Sequence, residues 1–244
     1  DINNYPKFKD KIKYIVIDKE PDGIVEENNN PTLQRANSLK RIELSYDEHF
    51  NAIRDANDDD FIMLSDNDEI PNLDSEDFKK NKNDIVIFNQ LFFYFKFNLL
   101  YDRMLWPGTK GCRKKNLKSF SWLRNIKFKK YPIWRIDTYF SNTKYSNLNI
   151  INDGGWHFTN LKSPEDMFEK FMNFGHHDEF KLSGITVDKI RDKISKREMF
   201  YDHFADKSSK NKWDSDYKLK KINTDLLPRY LVSNREKYLE WFDL

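Results

Sequence analysis

Residues 61–71 read Phe61-Ile62-Met63-Leu64-Ser65-Asp66-Asn67-Asp68-Glu69-Ile70-Pro71, an apolar run that ends in two aspartates one residue apart. A buried parallel strand is written as a continuous apolar run, and open α/β sheets bind ligands just beyond the carboxyl ends of their strands. The expectation is a buried strand over 60–65 that delivers Asp66 and Asp68 to a site at its end. An Asp-x-Asp there suits a hard divalent cation, which takes oxygens from one or two carboxylates, from waters and from a substrate phosphate. The plainer reading is that both aspartates cap the following turn.

Working outward, Lys11 to Asp18 (KIKYIVID) is almost continuously apolar and reads as another strand, ended by Pro21-Asp22-Gly23. Leu33, Ala36, Leu39, Ile42, Leu44, Phe50 and Ile53 fit a long helix or two consecutive ones from Thr32 to about Ala56 that return the chain for a parallel partner. Asp74-Ser75-Glu76-Asp77 reads as a capped helical turn, and Asp84 to Leu100 is so aromatic and β-branched that strand is expected. Short strands are expected near Ser119–Leu123 and Tyr131–Ile136, and another at Trp156-His157-Phe158. Ser163-Pro164-Glu165 carries the start signals of a helix through Asn173, and the charged chain from Val187 onward reads as helical.

A chain of 244 residues with 16% aromatic side chains can bury one sizeable core despite 34% charge, which excludes a disordered chain. The lone Cys112 excludes an internal disulfide framework. No apolar run approaches the roughly 20 residues that span a bilayer. A cytoplasmic location, compatible with peripheral membrane association, is expected. Net charge is only +2, yet Asp55 to Asp77 holds ten acids and no Lys or Arg, whereas Lys96 to Arg135 holds twelve basic residues and one acid. The first stretch suits a metal and the second phosphates, although basic residues also merely solvate loops.

Ser65-Asp66-Asn67-Asp68-Glu69-Ile70-Pro71, the aromatic Phe92-Phe93-Tyr94-Phe95, Trp106-Pro107-Gly108 with Cys112 nearby, and Gly155-Trp156-His157-Phe158 together resemble glycosyltransferase family 17. Gln34-Arg35 with Asn37 and Leu227-Pro228-Arg229-Tyr230-Leu231 extend the resemblance in order along the chain. It implies an α/β, GT-A-like (Rossmann-like) mixed sheet flanked by helices, a catalytic domain over 1–185 and a helical extension over 186–244. It further implies a UDP-sugar donor (GlcNAc-like), a glycan acceptor, a Mn²⁺ or Mg²⁺ ion and inversion at the anomeric carbon, with no nucleic-acid partner and no membrane span. Asp66 and Asp68 would hold the metal, with His157 a candidate further ligand. Family members usually carry an opening strand, and the expectation is that this chain starts after it. Of the adjacent His176 and His177, His177 better fits the family spacing.

The chemistry can also be argued from residue types. As the bond to the anomeric carbon breaks, charge grows on the departing diphosphate, and a divalent ion across the phosphates neutralises it. Lys110, Arg113, Lys114 or Arg135 could add a cation, and the acceptor hydroxyl needs a carboxylate base, for which Asp153 and Glu179 are candidates. Trp106 and Trp156 offer aromatic faces for a sugar ring, and the resemblance adds Arg35, Asn67, Glu69 and His177 as candidate substrate contacts. Each has a plainer role: His157 as a hydrogen-bonded core histidine, the tryptophans as core, His177 at a helix end, Asp153 as a turn residue. Two other functions fit parts of the pattern. One is a phosphohydrolase with Asp66 as nucleophile, against which Pro71 stands. The other is a non-enzymatic carbohydrate- or nucleic-acid-binding module built on 96–135.

Overall fold

Asn30 starts the first helix by accepting the amides of Thr32 and Leu33 on its side chain, with Pro31 at a position that needs no N–H. The computed structural model describes residues 2–26, 30–173, 177–205 and 210–244. They form two units, Asp1–Leu64 with Gly111–Ser146 and Ser65–Lys110 with Asn147–Leu244. His176 lies outside the described residues.

In the first unit, α1 (Pro31–Glu48) continues as a 3₁₀ turn, His49–Ile53, so the expected helix is present with a tightened end. The strand β1 (Phe61–Leu64) follows where the apolar run places it, but it is buried on one face only, at Ile62 and Leu64, with Met63 37% exposed. The expected strand over Lys11–Asp18 does not form: the segment is extended but unpaired, with Tyr14 81% exposed. Without a neighbouring strand to pair with, the segment carries mostly exposed ion pairs instead, Lys13 with Asp55, Lys19 with Glu48 and the adjoining Glu20 with Arg41, the last two reaching α1.

In the second unit, the short β2 (Glu69–Pro71) and the turn of α2 (Glu76–Lys79) lead to β3 (Ile85–Tyr94), whose residues are buried almost without exception. Phe95 then takes a left-handed conformation (φ 65°), which ends the strand before β4 (Leu99–Leu100). The strand β5 (Trp106–Arg113) runs from the second unit into the first. There α3 (Phe120–Asn125) replaces the strand expected at Ser119–Leu123, because the Ser119 hydroxyl accepts the Trp122 amide and caps a helix. Over 131–136 the chain makes successive turns instead of the expected strand, and only Lys130 bridges Tyr145.

The second unit resumes with β6 (Leu148–Ile151) and β7 (Gly155–Thr159), both parallel to β3 and placed in series along it. Between them Gly154 passes so close to Asn89 that a Cβ would lie 2.4 Å from its amide nitrogen. Antiparallel ladders join β2 to β7 and β3 to β4, so the sheet is mixed, and helices flank it. Ser163 caps α4 (Pro164–Asn173) as expected, and α5 (His177–Ser183) and α6 (Val187–Ser195) follow. Beyond α6 the expected helical tail is mostly irregular. It contains β8 (Lys220–Lys221), paired with β4, and α7 (Arg229–Ser233). Ile190 of α6 and Met199, Phe200, Trp213 and Leu219 beyond it share one buried cluster with Phe92 and Tyr94 of β3 and with Phe95. Burying each such side chain contributes about 1.5–3 kcal/mol.

Candidate functional site

The acidic loop is tied down at both ends by its own second unit. The Asp66 amide donates to Glu69 Oε2 at 3.2 Å, Glu69 Oε1 accepts the Trp106 indole N–H at 2.8 Å, and the Ser65 and Thr109 hydroxyls meet at 2.6 Å. Asp68 is fixed from the other side: its carbonyl accepts the Phe158 amide at 2.8 Å and its carboxylate lies 3.4 Å from His157 Nε2. The register explains this meeting, because His157 faces Glu69 on one neighbour of β7 and Phe92 on the other.

Alternation along the strands then divides the aromatic residues. Phe92, Tyr94, His157 and Thr159 line a cleft of about 320 Å³, while Leu91, Phe93, Trp156 and Phe158 pack on the opposite face. Trp106, His157 and Phe92 form a three-ring cluster in the cleft, with centroid separations of 4.6 Å, 4.8 Å and 5.0 Å. The far wall comes from the helices and the tail: Lys170, Glu179, His203 and Lys212 with Phe171, Phe200, Tyr201 and Trp213. Lys170 Nζ donates to Asn160 Oδ1 at 3.0 Å, Lys212 pairs with Glu179 at 2.6 Å, and Tyr94 shares a hydrogen bond with His203.

These surroundings move protons in different directions. Burial opposes ionisation of Asp68, but His157 and the charge of Lys170 outweigh it and hold the carboxyl below its ordinary range. Burial pushes neighbouring Glu69 up, only partly offset by the Trp106 hydrogen bond and reinforced by the charge of Asp66. Burial lowers Lys170, against the pull of Asp68, and lowers His203 to about 4.

Among the described residues, no three His, Cys, Asp or Glu side chains group to hold a metal ion on their own. Any cation held by Asp66 and Asp68 would therefore have to keep waters or take oxygens from a substrate, as Mg²⁺ usually does. With its Nε2 directed at Asp68 and its Nδ1 buried without a hydrogen-bond partner among the described residues, His157 is placed to orient that carboxylate.

The other expected site residues are scattered. Glu179 and Trp106 line the cleft; Trp156 does not, because it lies on the other face of β7 and donates its indole N–H to the Leu226 carbonyl. Asp153 is exposed, accepts from the Asn72 side chain and lies in the bend before β7, not among the residues lining the cleft. Asn67 is exposed on the acidic loop, Lys110 is half-buried in β5, and His177 is half-buried in α5. Arg35, Arg113 and Arg135 belong to the first unit, all exposed, with Arg113 on the Asp59 carbonyl and Arg135 paired to Asp137. Sequence reasoning missed Lys170, Asn160, His203 and Lys212. For Lys170 a signal existed, a cation one residue before Phe171 on an amphipathic helix. The chain matches no protein-family model, no curated protein and no solved structure.

Proposed function

We propose that this chain is a metal-dependent, inverting glycosyltransferase of GT-A type, similar to family 17, that moves a GlcNAc-like sugar from a UDP-sugar to a glycan acceptor. The observation that carries this reading is the Asp66-Asn67-Asp68 loop, fastened through Asp68 to His157 on the wall of an aromatic cleft. Aromatic faces such as Trp106 suit the apolar face of a sugar ring, and Lys170 offers a cation for phosphate oxygens. Asp66 and Asp68 would hold Mn²⁺ or Mg²⁺, which when bound supplies charge neutralisation at the leaving diphosphate. His157 keeps the Asp68 carboxylate oriented, and Glu69 fixes the loop backbone through Asp66 and Trp106. Of the two carboxylates considered as base, Glu179 is the one at the cleft.

The test is release of UDP from a panel of UDP-sugars in the presence of Mn²⁺ and a glycan acceptor mixture. Turnover should disappear with a chelator and fall about 10²- to 10⁴-fold in Asp68→Ala, with the fold retained. Turnover that ignores both chelator and substitution would remove the metal assignment.

A further inference from the structure

Within the first unit, residues 127–145 form a loop closed at its base. The Lys127 amide donates to the Thr143 carbonyl at 2.8 Å, the Tyr131 amide to the Tyr145 carbonyl at 3.3 Å, and Lys130 bridges Tyr145. Its tip is wound by successive short-range hydrogen bonds, Arg135 to Pro132, Thr138 to Arg135 and Tyr139 to Ile136, and the Tyr139 hydroxyl reaches back to the Ile133 carbonyl. Arg135 and Lys144 both clamp Asp137.

This ordered frame holds apolar side chains outward. Ile133, Trp134, Ile136, Tyr139 and Phe140 are between 70% and 86% exposed, five large apolar residues in eight positions. Scattered exposed hydrophobics are ordinary, but a concentrated group with a polar rim marks an interaction surface. The rim is one-signed: from Arg124 to Lys144 there are six basic residues and one acid, and that acid is already neutralised within the loop. Lys127, Lys129 and Lys130 are exposed and enter no ion pair among the described residues.

We propose that this loop docks the protein on an anionic lipid surface, with Trp134 and Phe140 entering the headgroup boundary and Lys127, Lys129 and Lys130 facing the lipid charges. The mixture is what such a surface selects. Trp and Tyr favour the interface, where an apolar ring and a polar edge are both satisfied, and each nearby Lys adds attraction to acidic headgroups. A protein partner would be met more often by aromatic and Arg residues with Lys depleted, whereas here Lys dominates the rim. The inference stands apart from the proposed activity.

Flotation of the full chain with phosphatidylcholine vesicles, with and without phosphatidylserine, tests it. Binding should require phosphatidylserine and weaken as salt is raised. Trp134→Ala with Phe140→Ala should lower partitioning at least about tenfold, and so should Lys129→Glu with Lys130→Glu. These side chains are exposed, and unchanged circular dichroism would confirm that the variants fold. Absence of binding at low salt, or binding indifferent to both pairs of substitutions, would overturn the proposal. So would a dimer, or capture of RNA, that depends on Trp134 and Phe140 while the vesicles stay bare.

Discussion

Asp68 and Glu69 are adjacent, yet their surroundings push their protons opposite ways. The stabilisation from ionised Asp68 is present above the ordinary carboxylate range and is lost as pH falls through its lowered value. The contribution of Glu69 runs the other way, present in acid and lost as pH rises through its raised value. His203 gives the clearest pH consequence. Burial holds it neutral, lowered from 6.5 to about 4, so its contribution is complete above pH 6.5 and is lost as pH falls towards 4. His203→Gln, which keeps an acceptor for Tyr94, should flatten the loss of unfolding free energy between those pH values by up to about 3 kcal/mol. Urea unfolding at several pH values reads this, and an unchanged slope would contradict it. At this scale the acidic loop was legible because its residue types sit at the end of an apolar run. His203 was not, because the Tyr94 and Phe92 rings that bury it are more than 100 positions away.

Among the elements, β7 does most to assemble the site, since it brings Glu69, Phe92 and Asp68 to one histidine. Its first residue, Gly155, has φ 108° and would place a Cβ 2.1 Å from the Ile70 carbonyl oxygen. Gly155→Ala combines left-handed strain with a backbone clash and should cost about 3 kcal/mol or more, read as a lower urea midpoint. A wild-type midpoint would mean that β2 and β7 are not held as described. The strand character of Trp156-His157-Phe158 could be read from sequence, and strict alternation then separates Trp156 from His157. What could not be read is which face meets the cleft, because the sequence does not show that Phe92 and Tyr94 of β3 lie beside His157 and Thr159 there. The missed helix at Phe120–Asn125 followed a different error: an aromatic segment suggested strand, while the Ser119 cap settled the local backbone.

At the scale of the molecule, the chain after α6 closes the core of the second unit, although its irregular backbone gave little periodic signal. Trp213 packs against Phe171, Phe180 and Tyr201 and is only 5% exposed. Trp213→Ala should cost about 3–5 kcal/mol in chemical denaturation. A loss below about 1 kcal/mol would show that the tail is an ornament on a core completed without it. The mixed sheet with flanking helices follows from the apolar runs of β1, β3 and β7, whereas the unpaired Lys11–Asp18 shows that such a run alone does not secure a partner. No helix among the described residues is long and apolar enough to cross a membrane.

The central claim, a sugar nucleotide held through a cation on Asp66 and Asp68, is tested most directly by calorimetric titration of UDP and UDP-GlcNAc into the protein with Mn²⁺ and with a chelator. The expected result is binding with Mn²⁺ that vanishes with the chelator and in folded Asp68→Ala. Binding of equal strength in Asp68→Ala, or none by the folded protein with Mn²⁺ and any UDP-sugar, would contradict it.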